Sequence, residues 1–174
     1  AWRTRSTFSK STSTDVHTWA AVCRALIMFS AVRTRIRSSS ISSAPWPLAA
    51  VRASRALHAG FVVPPTTPAA YREYLARFAS RRAGVRNLGF FAVRRDDRAV
   101  AGVLNLSEIV RGAFESAYLG YYALAPHAGT GYMAEAMVLV LDTAFDELGL
   151  HRVEANVQPV NARSLALVLR AGFS

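Results

Sequence analysis

Residues Tyr118–Phe173 read YLGYYALAPHAGTGYMAEAMVLVLDTAFDELGLHRVEANVQPVNARSLALVLRAGF. Apolar residues occupy both alternating sets of Ala117–Ala125, the pattern of a strand buried on two faces. A turn, Ala128-Gly129-Thr130-Gly131-Tyr132-Met133, follows. Met133, Met137, Val140, Leu141, Ala144, Phe145 and Leu148 then mark one helical stripe, predicting a helix from about 130 to 148. Gly149 suits the left-handed residue just past its end. His151–Val157 reads as a second strand, stopped by Pro159. Asn161 is placed to cap a helix over Asn161–Ala171, with Leu165, Val168 and Leu169 turned inward and Gly172 closing it.

Upstream, Pro64, Pro65 and Pro68 mark a loop rather than a central strand. Thr67 can cap a helix that Pro68 begins, and Tyr71, Tyr74, Leu75 and Phe78 form its buried face. Arg81-Arg82-Ala83-Gly84 is expected to end it. Leu88–Val93 and Val100–Leu106 read as a hairpin turning at Asp96-Asp97. Glu108–Ser116, containing Gly112, reads as a loop or bulged connection. Strands interleaved with helices, plus one hairpin, predict an α/β protein with a mixed, α+β-type sheet covered by helices.

The glycine turn carries the clearest chemical signal. Gly129 and Gly131 permit positive φ and close backbone approach, and N–H groups at a helix start attract an anionic oxygen cluster. This turn between strand and helix, with Asn161-Ala162-Arg163-Ser164 downstream, resembles the GCN5-related N-acetyltransferase (GNAT) superfamily, and within it the RimJ/RimL-like protein N-acetyltransferases. The likeness covers about residues 53–173. The family's phosphate-binding signature is Gln/Arg-x-x-Gly-x-Gly/Ala. Gly131 takes its central glycine, whereas Ala128 and Met133 depart from it.

The resemblance implies a GNAT acyl-CoA N-acyltransferase fold, here incomplete at both ends. It implies acetyl-CoA as co-substrate, held by the backbone of Ala128, Gly129, Thr130, Gly131, Tyr132 and Met133, with Asn161 beside it. The strands 117–125 and 151–157 would splay apart so that the pantetheine arm pairs with Tyr122, Ala123 and Leu124. A backbone N–H near Tyr122 or Ala123 would polarise the thioester carbonyl. Ser164 resembles the residue proposed in the family to protonate the departing thiolate. The acceptor would be a primary amine, by family likeness the N-terminal amine of a protein such as a ribosomal protein, attacking directly in a ternary complex. A general base is left open between Glu154, Glu108 and a residue beyond Gly172-Phe173. Neither Glu154 nor Glu108 is distinguished by pattern from a solvated surface charge.

The chain's 174 residues and net charge of +10 divide unevenly. Residues 1–52 hold eight Lys/Arg against Asp15 alone, and all ten glycines lie at Gly60 or later. The expected division is therefore 1–52 as a segment outside the native fold, whether disordered, targeting-like or translated out of frame, and 53–174 as a partial acetyltransferase domain. A single cysteine, Cys23, excludes an internal disulfide framework and fits a reducing, cytoplasmic setting. No run of about 20 apolar residues predicts a membrane span. His17, His58, His127 and His151 are scattered without ligand spacing, so no metal is expected. Arg81, Arg82, Arg86, Arg94, Arg95 and Arg98 have no interleaved aromatic platform, and no specific nucleic acid is expected. Two other classes stay open at this point: a non-catalytic or degenerate coenzyme A-binding module, and a basic ribosome- or RNA-binding protein.

Overall fold

The computed structural model describes residues 4–9, 34–38, 48–78 and 87–174. Its centre is a six-stranded sheet in the order β1-β6-β5-β4-β3-β2. The strands are β1 (Thr4–Ser9), β2 (Thr34–Ser38), β3 (Leu88–Arg94), β4 (Val100–Val110), β5 (Ser116–Ala123) and β6 (Arg152–Val157). All neighbours pair antiparallel except β5 and β6, which run parallel. This is the mixed sheet that the interleaved pattern predicts.

Strand alternation sends two sets of side chains to two different layers. Phe90, Ala92, Leu104, Leu106, Ala117 and Leu119 face the larger core, with Val153, Ala155 and Val157. Helix α4 (Tyr132–Asp142) covers that face with Met133, Met137, Val140 and Leu141. Helix α5 (Ala162–Arg170) adds Val168. Phe91, Val103, Tyr122 and Leu124 face the opposite way. There they meet Val51 of α1 (Leu48–Ala53) and Tyr71, Tyr74 and Phe78 of α3 (Pro68–Phe78). The short helix α2 (Arg55–His58) lies between α1 and α3 in the chain. Each residue on the expected face of α3 is buried or half-buried, and Thr67 Oγ1 accepts the Ala70 N–H at 3.2 Å. The expected end of that helix at 81–84 lies outside the described residues.

Four features differ from the sequence reading. The helix after the glycine turn does not stay α-helical to residue 148: Thr143–Glu147 form one π-helical turn, with Leu148 N–H donating to Thr143 O at 2.9 Å. Periodicity cannot see this, because Ala144 and Phe145 remain buried either way. β4 continues to Val110 through an irregularity between Ser107 and Val110, where Glu108 takes φ 50°. A bulge lets the strand continue past a residue that breaks the ladder. In α5, Leu169 is 59% exposed and Leu167 packs toward the core instead, since the inward stripe is centred on Val168. Finally, the composition break at residue 52 falls inside α1, whose Val51 is 1% exposed. β1 and β2 add strands at the two sides of the sheet, and β6 pairs with both β1 and β5. Glycine content reports local backbone needs, not which segments pack.

Candidate active site

β5 and β6 pair only at Ser116–Arg152, Ala117–Val153 and Tyr118–Glu154. Beyond those three positions β5 stays with β4, through Ala123, while β6 stays with β1, through Val157. The two parallel strands therefore splay, and a cleft opens between them. Leu124 N–H donates to Ala101 O at 2.8 Å. Backbone groups alternate sides in an antiparallel ladder, so Tyr122 also turns its backbone toward β4, and Leu119, Tyr121 and Ala123 turn theirs to the cleft. Of the three expected pairing residues, Ala123 thus faces the opening and Leu124 is committed elsewhere. The Ala123 carbonyl is itself met by His58 Nε2–H at 2.8 Å.

The glycine turn stands at the mouth of this cleft. Gly129 has φ 80° and Gly131 φ 96°, and both are exposed. Gly131 is the N-terminal cap of α4, and its carbonyl accepts the N–H groups of Ala134 and Glu135. Helical bonding thus begins at Ala134, and the preceding N–H groups have no intrahelical carbonyl. Thr130 Oγ1 donates to His127 O at 2.6 Å, tightening the turn. Ala128 is half-buried. Tyr132 and Met133 are buried, so only their backbones are available to a ligand. The Arg94 guanidinium lies 5.4 Å from the Tyr132 ring centroid. It also pairs with Asp96 and Asp97, and the Arg94 contact holds the Asp96 carboxyl at about 2. Of the other arginines in that tract, Arg81, Arg82 and Arg86 lie outside the described residues.

Across the cleft stands the start of α5. Asn161 Oδ1 accepts the Ser164 N–H at 3.1 Å, the expected cap. Ser164 Oγ lies 2.5 Å from the Tyr121 hydroxyl. Tyr121 was not singled out in the sequence. Two adjacent tyrosines in a strand face opposite ways, so Tyr122 faces α1 and α3 while Tyr121 faces α5. Burial pushes the Tyr121 phenol up, and the Ser164 hydrogen bond partly offsets this. Burial also raises the Tyr122 phenol, which packs edge-on to the His58 ring at 5.3 Å.

At the closed end of the cleft, Glu108 and Glu154 line one cavity of about 250 Å³ with Val110, Phe114 and Tyr118. The fold thus brings together the two carboxylates that the sequence left as alternatives. Glu154 is 8% exposed and pairs through Oε1 with Arg152 at 2.7 Å, whereas Glu108 is exposed on the bulge. One further side chain that the sequence does not single out, that of Ser54, fixes the far end of β5. Ala125 N–H donates to Ser54 Oγ at 2.8 Å, and Ser54 Oγ donates to Ala50 O at 2.6 Å. No cluster of metal-ligating side chains occurs among the described residues. Among them, too, no helix is long and apolar enough to cross a membrane.

The family model described as an acetyltransferase (GNAT) domain matches residues 33–174. The chain belongs to this GNAT acetyltransferase family. Among its relatives is the probable N-acetyltransferase YjcK of Bacillus subtilis (strain 168), 47% identical over 78 residues, which are 45% of this chain and 42% of that protein. The [ribosomal protein uS5]-alanine N-acetyltransferase of Escherichia coli (strain K12) is 38% identical over 78 residues, 45% of this chain and 40% of that protein. These matches span about two-fifths of the length of either relative. The crystal structure of ribosomal-protein-S5-alanine acetyltransferase from Vibrio fischeri shares the fold, with a TM-score of 0.70 and 22% identity, covering 82% of this chain and 80% of that one. The GNAT match begins at residue 33, upstream of the composition break.

The residues present fit coenzyme A, the co-substrate of this family. The positive-φ glycines, exposed and followed by a helix start, suit a pyrophosphate. The splayed strands leave room and backbone partners for an extended arm.

Proposed function

We propose that this protein transfers an acetyl group from acetyl-CoA to a primary amine, with the N-terminal amine of a protein as the acceptor and a ribosomal protein as the leading candidate. The observation that carries the reading is the splay of β5 from β6, with the Gly129–Gly131 turn at its mouth and Ser164 opposite. The named GNAT relatives that act on a ribosomal-protein alanine support the acceptor class. The cytoplasm, where ribosomes are made and used, is the location this acceptor requires.

Acetyl-CoA supplies an activated acyl group as a thioester. The protein's part is positioning and charge handling. Backbone N–H groups of the Gly129–Met133 turn hold the phosphates, apart from that of Thr130, which donates to His127 O at 3.4 Å. Cleft-facing backbone groups of Leu119 and Tyr121 hold the extended arm and orient the carbonyl. The acceptor amine enters from the cavity at the closed end. Glu154, buried beside it, draws the amine in as a cation and accepts its proton as attack begins, while Glu108 adds negative charge at the rim. Val110, Phe114 and Tyr118 give the cavity an apolar wall that suits a short uncharged side chain beside the amine. Ser164 stands where the sulfur departs. Positioned proton transfer contributes about 10²–10⁴-fold in rate, so the site's carboxylate and hydroxyl account for a large share of turnover.

The test is thiol release from acetyl-CoA in the presence of short peptides. Peptides with a free N-terminal Ala or Ser should drive turnover, and the same peptides blocked at the N-terminus should not. Equal thiol release with and without any amine would refute the transfer reading.

A further inference from the structure

Tyr121 and Ser164 form a hydroxyl pair that bridges the splayed cleft. Tyr121 sits three residues beyond the last β5–β6 pair, where the strands have parted. Ser164 lies in the first turn of α5, its own N–H held by Asn161. The hydroxyl oxygens are 2.5 Å apart, and both residues are half-buried. Tyr121 packs its ring against the larger core, which fixes where its hydroxyl can be. Ser164 Oγ is tied to a strand on one side and capped into a helix on the other. It is placed more firmly than a surface serine would be.

The chemistry of the leaving group gives this pair a purpose. An alkyl thiol ionises near about 8.5 and a phenol near about 10, whereas an aliphatic hydroxyl ionises far above both. Serine alone is therefore a poor proton source for a departing thiolate. A phenol behind it is a far better matched one. We propose that Tyr121 is a positioning and relay residue for Ser164, so that the proton reaching the sulfur originates on the Tyr121 oxygen. This rests on the acetyl-transfer reading above. In the step, the amine nitrogen bonds to the carbonyl carbon and the C–S bond breaks with its electron pair on sulfur. Ser164 Oγ–H passes its proton to sulfur, Tyr121 O–H passes its proton to Ser164 Oγ, and the phenolate regains a proton from water. The amine's own proton leaves through the carboxylate side. No oxidant, reductant or additional co-reactant is involved.

The same pair would stabilise a bound thiolate before any transfer, because a hydrogen bond donated to a charged form favours it. That gives a readout independent of the acceptor. Coenzyme A itself is the probe. Its thiol is titrated by thiolate absorbance when bound to the parent protein, to Tyr121→Phe and to Ser164→Ala, with affinity measured in parallel by calorimetry. The bound thiol in the parent should titrate below that of free coenzyme A. Tyr121→Phe should raise the midpoint by about one pH unit, a tenfold loss of thiolate preference, with coenzyme A affinity at neutral pH and the unfolding midpoint nearly unchanged. Steady-state turnover should fall about tenfold at constant KM, the same factor expressed in the barrier. In the Ser164→Ala background, adding Tyr121→Phe should change neither quantity further. A Tyr121→Phe protein with the parent's thiol titration and turnover would overturn the relay while leaving acetyl transfer standing. Equal additive losses from the two substitutions would also overturn it, assigning Tyr121 an independent role. Absence of coenzyme A binding in the parent would remove the relay together with the functional reading beneath it.

Discussion

Gly102 of β4 lies directly under the first turn of α4, and a methyl group there would test how closely the two are packed. A Cβ built at Gly102 falls 2.1 Å from Met133 Sδ and 2.9 Å from the Tyr122 carbonyl oxygen. Neither distance is tolerable, but they relax differently. The Met133 thioether is the flexible part of a buried side chain and can swing aside. The Tyr122 carbonyl belongs to the β5 backbone and gives only by moving the strand. Overpacking of this kind costs about 1–3 kcal/mol. Replacing glycine regains about 0.4–1 kcal/mol by restricting the unfolded chain. The expected net destabilisation for Gly102→Ala is about 1–2 kcal/mol, a fall in Tm of about 2–8 °C for a domain of this size. Met133→Ala alone should cost about 2–5 kcal/mol through the cavity it leaves. The double variant should cost less than the sum of the two by at least about 1 kcal/mol, because the added methyl then occupies vacated space. Thermal unfolding by calorimetry on the four proteins closes the cycle. A Gly102→Ala protein as stable as the parent, or strict additivity with Met133→Ala, would refute the close packing of α4 on β4. The consequence reaches function, since Met133 is in the same turn as Gly131.

Three further outcomes are expected. Tyr122 is buried with no hydrogen-bond partner for its hydroxyl among the described residues, so Tyr122→Phe should stabilise by about 1 kcal/mol; a lower Tm would show that the hydroxyl is satisfied. Burial raises the phenols of Tyr71, Tyr74, Tyr121 and Tyr122 above their ordinary value near 10. Above that pH the unfolded chain therefore binds fewer protons than the folded one, and stability present below pH 10 should fall as pH rises through the folded-state values. Urea midpoints that do not fall between about pH 8 and pH 10.5 would contradict this. Asn161→Ala should cost about 1 kcal/mol by removing the cap on Ser164 N–H, read as a Tm lower by about 2–4 °C; an unchanged Tm would show that the cap adds nothing.

The layered fold was legible because its signals are local. Thr67 and Pro68 announce a helix start, Asp96-Asp97 a hairpin and Gly149 a helix end, and each of these needs only its neighbours. The π-helical turn at Thr143–Glu147 and the bulge at Glu108 were not legible, since both depend on how a segment sits against others. The same holds at the site. Gly131 and Asn161 carry backbone roles that their residue types advertise. Tyr121 carries none in sequence, because its meaning is a hydroxyl 43 positions away in the chain. Ser54 and His58 are equally silent: they act on the backbone of Ala125 and Ala123, 71 and 65 positions away in the chain. The pairing of Glu108 with Glu154 in one cavity likewise required β4, the loop after it and β6 to be assembled.

The central claim is that the turn at Gly129–Met133 is a coenzyme A phosphate site. Isothermal calorimetry of coenzyme A with the parent, Gly131→Val and Ala128→Arg proteins tests it most directly. Gly131 has φ 96°, a conformation that costs an L-residue about 1–2 kcal/mol, more for a β-branched one, so valine should reshape the turn and turn its amides off the ligand. Affinity should fall at least about tenfold in Gly131→Val, the weight of roughly one charge-assisted hydrogen bond, while Ala128→Arg should match or exceed the parent. Equal coenzyme A affinity in the parent and a folded Gly131→Val protein would contradict the assignment.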